Sequence, residues 1–305
     1  MVRLSLLCLL PTVSAFFVAP DARSSSTRLF ISSWGTKGPP SKWATAENDN
    51  PLERIQAYLK EPEAVEARST LEGTCLVSGI LDQFILDLLN HQESAFEYDK
   101  LIALVEDPKV AKKQLLSRSA RYTGLLDKLE VVQGSTLPTV EQLKDVQSWV
   151  AVVEQLSDVT EVAHLAKAAS GLQNVAVLFT GATELDPSAC QAAVHELSGN
   201  PKLAYTLVAV GNLEDRPEGK EAYQFREFGT KDGVLPKKTA FSKQEACRMV
   251  TELLQLECGK NKALSFAEVY NANVTEVKLI RGLREAGYAR PQEIDHMIRD
   301  GPEVG

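Results

Sequence analysis

Apolar positions along this chain repeat in two ways. Short apolar runs occupy Thr74–Ser78, Leu101–Val105, Leu129–Ser135, Asp145–Val153 around Trp149, Asn174–Thr180 and Leu203–Val210, and each closes on Gly or a polar residue. Runs of this length without alternation predict strands buried on both faces. Between them the spacing becomes helical. Leu81, Phe84, Ile85, Leu88 and Leu89 follow the first run, the Ala-rich Thr160–Ala169 follows the fourth, and Ala189–Leu197 follows the fifth. A short helix over Thr139–Lys144 is expected between the third and fourth. Strands alternating with helices predict a parallel sheet covered on both faces, and right-handed crossovers make it doubly wound.

The chain is organised around its first strand, turn and helix, Glu72–Asn90. An α/β Rossmann-like doubly wound parallel sheet opens this way, and its phosphate site lies at this turn. The usual pattern needs three glycines: one for the turn, one for close approach of pyrophosphate, one for helix packing. Here Ser78 and Gly79 end the strand, but the later glycine positions hold Asp82 and Ile85. A carboxylate at a helix N-terminus competes with phosphate for the same N–H groups and repels it. Two readings stay open: Asp82 caps its own helix, or the turn is an altered but usable cofactor site.

Further positions belong to the same edge. Glu106-Asp107 ends the second strand, where an acidic residue holds the adenosine ribose hydroxyls in dinucleotide folds. Lys109, Lys112, Lys113, Arg118 and Arg121 follow, either as holders of a 2′-phosphate or as a solvated helix face. Gly134-Ser135, Thr180 and Gly211 close the third, fifth and sixth strands. Gly211–Thr239 shows no periodicity and is expected to form a long polar loop above this edge.

The flanks differ from the body. Arg3, the apolar Leu4–Leu10 and the small residues before Phe16 predict a signal peptide over residues 1–15. Residues 16–45 are rich in Ser, Arg, Gly and Pro and read as a transit peptide and linker. The domain is expected over residues 46–271, with an N-terminal helix carrying Leu52, Ile55 and Leu59. Ser242-Lys-Gln-Glu245 is a capping box opening a helix whose apolar face includes Ala246, Met249, Val250, Leu253 and Leu254. Leu264–Tyr270 is the last strand, and residues 272–305 are a helical segment with helices over Asn273–Ala286 and Pro291–Asp300.

Charge narrows the partners. The net charge is −8, residues 1–44 contribute +4, and the remainder therefore carries −12. So acidic a body is a poor general nucleic-acid binder, because phosphate contacts need clustered cations. No transmembrane segment is expected in the mature chain. Cys75, Cys190, Cys247 and Cys258 are widely spaced without a C-x-x-C, and His91, His164, His195 and His296 form no H-x-x-x-H. Packed thiols are expected, and no metal site.

Two resemblances add to this. Ser14-Ala-Phe-Phe-Val-Ala-Pro20, with the Ser/Arg-rich stretch after it, resembles the junction of bipartite plastid presequences in algae such as diatoms. That resemblance implies delivery to the plastid (chloroplast) stroma. Leu129–Ser135, Tyr205–Gly211, Phe241–Leu254 and Lys262–Asn271 resemble stretches of the atypical short-chain dehydrogenase/reductase group, in its NmrA-like NAD(P)-binding branch. That group implies NAD(P) as cofactor and a Tyr-x-x-x-Lys pair in active members. None of the seven Tyr here has Lys four residues later, and the group's Arg-Pro after the sixth strand is Ala209-Val210. Thr180 stands where the group has a Ser at the end of its fifth strand.

Three functions follow as expectations. The first is a non-catalytic regulatory or assembly factor in the plastid with NAD(P) binding weak or lost. The second is an NAD(P)H-dependent reductase or isomerase with an atypical site. The third is a structural partner of a photosynthetic protein complex.

Overall fold

The computed structural model describes residues 67–68, 70–79, 83–90, 96–115, 124–216, 223–237, 239–268 and 298. The presequence, the helix around Ile55, Asp82 and nearly all of the C-terminal helical segment lie outside the described residues. Ile298 alone of that segment is described, and it packs half-buried against the core.

In chain order the strands are β1 (Leu71–Ser78), β2 (Phe96–Val105), β3 (Leu129–Gln133), β4 (Ser148–Val153), β5 (Asn174–Phe179), β6 (Ala204–Val210), β7 (Asn212–Glu214), β8 (Tyr223–Glu227), β9 (Ala240–Ser242) and β10 (Lys262–Glu268). The helices are α1 (Gln83–Leu89), α2 (Pro108–Leu115), α3 (Leu125–Lys128), α4 (Leu156–Ala168), α5 (Pro187–Ser198) and α6 (Lys243–Gln255). Eight strands form one sheet in the order β3-β2-β1-β4-β5-β6-β10-β8. Every neighbouring pair is parallel except β8, which runs antiparallel to β10. The order reverses between β1 and β4, so this is a doubly wound α/β, Rossmann-like sheet with its switch point there.

All six residues of β4 and of β5 are buried, as the unbroken apolar runs predict. Alternate residues enter two cores. Cys75, Val77, Val150, Val152, Ala176, Leu178 and Val208 meet α1 and α6 on one face. Leu76, Trp149, Ala151, Val153, Val175, Val177 and Leu207 meet α4 and α5 on the other. Val159, Val162, Ala163 and Ala166 give α4 one apolar stripe, mostly small, so the helix seats close to the sheet. In α6 the expected N-cap is present: Ser242 Oγ accepts from Glu245 N–H at 3.3 Å. Removing a side chain such as Leu253 from this face costs about 2–5 kcal/mol.

Three expectations need correction. Thr139–Lys144 is not a helix but a run of turns over residues 140–145, in which Leu143 N–H donates to Thr139 O at 3.2 Å. Leu143 is its single deeply buried apolar side chain, too little to hold a helix against the sheet. The strand expected from Asp145 therefore starts at Ser148. Last, Gly211–Thr239 is not a plain loop. It holds β7, β8 and a short 3-10 turn at Lys231–Gly233. The five-residue β8 is too short to show its alternation in sequence. Its Phe225 packs on Phe266 of β10 with ring centroids 5.9 Å apart, and Phe228 just beyond meets Phe179 edge-on.

Candidate dinucleotide site at the carboxyl edge

Ser78, Gly79, Glu106, Asp107, Gly134, Ser135, Thr180 and Gly211 all stand at carboxyl ends of strands, so the fold brings them to one edge. Ligands of doubly wound sheets bind there, beside the switch point. What each residue does locally decides how much of that edge is free.

At the switch point β1 ends on Gly79 with φ +85. A Cβ there would stand 1.8 Å from Val152 O of β4, so only glycine fits the turn. The turn after β1 therefore holds a left-handed glycine packed against β4. Ser78 is different. It is 0% exposed, and its Oγ accepts from Trp149 Nε1 at 2.9 Å. The hydroxyl ties β1 to β4 beneath the surface. Asp82 lies outside the described residues.

Past β2, Glu106 and Asp107 are both exposed. Asp107 Oδ1 accepts from the N–H groups of Lys109 at 2.8 Å and Val110 at 3.2 Å, which makes it the cap of α2. Glu106 caps no helix and lies exposed beside it. Lys109, Lys112 and Lys113 are exposed along α2. Beyond β3, Gly134 N–H donates to Val105 O at 2.9 Å, and Ser135 Oγ donates to Leu137 O at 2.8 Å.

Over β5 and β6 the chain closes on itself. Thr180 is buried, with its N–H 2.8 Å and its Oγ1 3.3 Å from Val153 O. Gly181 N–H donates to Gly211 O at 3.2 Å, Ala182 N–H to Val210 O at 2.9 Å and Glu184 N–H to Leu235 O at 2.9 Å. Asn212 N–H donates to Thr239 O at 3.0 Å, and β7 then pairs with β9 in parallel. Gly211 lets these segments meet, since a Cβ there would lie 2.0 Å from Thr239 O. Backbone that could face a ligand is spent on other backbone.

Trp149 is the participant the sequence did not reveal. Its apolar context marked it as core, and nothing local signals an indole bond to a residue 71 positions away. Cys75, Cys190 and Cys247 are buried and Cys258 is half-buried. Among the described residues no group of three His, Cys, Asp or Glu is placed to hold a metal ion. Among them, too, no helix is long and apolar enough to cross a membrane.

No family model matches the chain, and no curated protein matches it in sequence. Solved structures are similar at a distance. A Streptococcus pneumoniae protein assigned as an NADH-flavin reductase is 12% identical over 65% of this chain and 99% of its own, with a TM-score of 0.40. The terminal R domain of the myxalamid PKS-NRPS biosynthetic pathway is 11% identical over 73% of this chain and 75% of its own, with a TM-score of 0.44. The reductase domain of the aureusimine biosynthetic cluster is 12% identical over 72% and 75%, with a TM-score of 0.38. Likeness this distant carries no residue and no activity to the present chain, whose Rossmann-like fold rests on its own strand order.

Proposed function

We propose that this protein is a plastid Rossmann-like factor with a degenerate dinucleotide site, serving a regulatory or assembly role rather than hydride transfer. One observation carries the reading. The polar side chains nearest the switch point are committed to the fold: Ser78 to Trp149, Asp107 to the cap of α2, Thr180 to Val153. The missing Tyr-x-x-x-Lys pair agrees with it, since proton transfer needs a positioned acid or base. A protein complex of the plastid is the proposed partner, and the atypical short-chain dehydrogenase/reductase group the proposed origin of the fold.

Titration of the purified protein with NADPH and NADH tests this, read by Trp fluorescence, because Trp149 lies under the first turn. Dissociation constants above about 1 mM, weaker than roughly −4 kcal/mol, support the reading. Micromolar binding overturns it. Asp82→Gly removes one carboxylate from the turn. If repulsion there is what weakens NAD(P), affinity rises about tenfold.

The NAD(P)H-dependent reductase or isomerase is the second reading. Gly79 in its left-handed turn and the unencumbered Glu106 favour it. Tight NADPH binding in the native protein, unimproved by Asp82→Gly, puts it first. Localisation has its own test. A fluorescent fusion of residues 1–45 should reach the plastid, and Phe16→Ala should leave it outside the inner plastid membranes. Correct delivery of the Phe16→Ala fusion counts against the presequence assignment.

A further inference from the structure

The two outer strands of the main sheet are finished differently. At β8, Phe228 N–H donates to Ala263 O at 2.9 Å, so residues 224, 226 and 228 turn their backbone toward β10. Phe225 and Glu227 therefore turn theirs outward. Arg226 Nη1 donates to Phe225 O at 2.8 Å, and Thr230 Oγ1 donates to Glu227 O at 2.8 Å. A charged side chain and a turn thus close this edge, as exposed strands are commonly protected.

At the other edge β3 pairs with β2 alone. Gly134 N–H donates to Val105 O at 2.9 Å, so Glu130, Val132 and Gly134 turn their backbone toward β2. Leu129, Val131 and Gln133 turn theirs outward. Within that outward row, Leu129 N–H donates to Leu125 O at the end of α3. Gln133 O accepts from Gln142 Nε2 at 3.3 Å, and Gln142 is itself held by accepting Thr139 N–H at 2.9 Å. Leu129 O, Val131 N–H, Val131 O and Gln133 N–H have no hydrogen bond among the described residues.

This open row is its own complement. When two β3 strands run antiparallel about Val131, Val131 faces its equivalent and Leu129 faces Gln133. The two Val131 then exchange both of their bonds, and each Gln133 N–H reaches a Leu129 O. The remaining bond of that pattern, Leu129 N–H to Gln133 O, joins the two groups already satisfied inside each copy. Side chains permit the pairing. Glu130 faces Val132, so like charges do not stand opposite one another. The two Glu130 lie diagonally, and each is paired with Lys100 of its own copy. Among the described residues Val110 and Val140 are the exposed large apolar side chains. Val110 belongs to α2, which packs on β3, and Val140 to the turn that supplies Gln142, so both border this edge. We propose that two copies of this chain join through β3 across a two-fold axis, continuing their sheets into one.

Sedimentation equilibrium of the full chain at submillimolar concentration should give a mass twice that of one chain. Val131→Pro removes an N–H that bonds nothing within the chain, at an edge position that tolerates proline. It should halve that mass and leave the circular dichroism of the folded chain in place. Val131→Cys supplies a direct readout. Across the axis its two Cα atoms lie about 5.5 Å apart, within disulfide range, so mild oxidation should link the copies. Glu130→Cys places its equivalents about 7–8 Å apart on the diagonal and should link no more than the unchanged chain. A monomer at every concentration overturns the proposal. So does a dimer that persists in Val131→Pro, or one in which Val131→Cys gives no link, since the interface then lies elsewhere. The cross-link needs no proline, so the test stands even where Val131→Pro fails to fold.

Discussion

The two ends of this sheet handle polar groups in opposite ways. At the carboxyl edge, where a doubly wound sheet normally meets its ligand, the polar atoms of Ser78, Asp107 and Thr180 and the loop backbone of 180–184 and 211–214 are paired within the chain. At the amino end Arg68, Tyr98 and Ser148 are deep in the core, and Arg68 Nη1 is left unpaired. A dinucleotide site needs the reverse, with open donors at the carboxyl edge and a silent amino end. On the reading proposed above, fold and site have separated here: strand order and the Gly79 turn persist while the polar side chains of the edge serve the fold.

The largest test of this contrast is steric. Gly79→Ala puts a methyl 1.8 Å from Val152 O at a φ of +85. Left-handed strain of about 1–2 kcal/mol adds to the clash, for a total loss of about 4 kcal/mol. Urea unfolding measures it. A loss below about 1 kcal/mol would mean that the turn gives way easily, and the switch point would not be the rigid end of the comparison.

Next in size is Arg68→Ala at the other end. It deletes three side-chain hydrogen bonds and opens a cavity, while it relieves the desolvation of a buried cation. Charge-assisted bonds and cavity outweigh the relief, and about 3 kcal/mol of stability should be lost. An unchanged urea midpoint would show that the guanidinium contributes nothing net and that the two ends differ less than the geometry says.

What was legible in the sequence follows the same division. The strands β1, β2, β4, β5 and β6 and the capped helix α6 announce themselves through local runs and spacing, because burial on both faces forces unbroken apolar stretches. That these positions stand at one edge of the sheet was also legible, since strand ends are predictable once strands are. Their engagements were not. Ser78 meets Trp149 across 71 positions, and Arg68 meets Leu256 across 188. No local pattern encodes such pairings. The edge strand β8 escaped because five residues with one buried neighbour strand leave too short an alternation.

A smaller effect reads the amino end through pH. Complete burial raises the Cys75 thiol from its ordinary value near 9 to about 12. The folded protein keeps this proton where the unfolded chain loses it. The associated stability is fully present below pH 9 and is lost as pH rises towards 12. Tyr98 acts in the same direction above pH 10. Arg68, which burial lowers to about 10, acts oppositely above that pH. Between pH 9 and 10 Cys75 is therefore the readable member of the cluster. Cys75→Ala should flatten the fall in stability across that unit by about 1 kcal/mol. Parallel pH profiles for the two proteins would place Cys75 in contact with solvent, contrary to its burial.

The smallest expected effect separates the two functional readings. Thr180 Oγ1 reaches only Val153 O, at 3.3 Å, and the same carbonyl already accepts Thr180 N–H at 2.8 Å. Thr180→Val removes a long, redundant bond and leaves the carbonyl paired, so stability should fall by only about 0.5 kcal/mol. Its effect on chemistry depends on the reading. If Thr180 serves the fold alone, NADPH oxidation with carbonyl or quinone acceptors stays at the same background before and after the change. If it assists proton transfer, turnover exists in the native protein and falls about 100-fold in the variant, with the melting curve almost unmoved. That second outcome would mean the Thr180 hydroxyl swings off Val153 O when substrate arrives. The β5–β6 end would then be a closed form of a working site, and the separation of fold from site would apply to Ser78 and Asp107 alone.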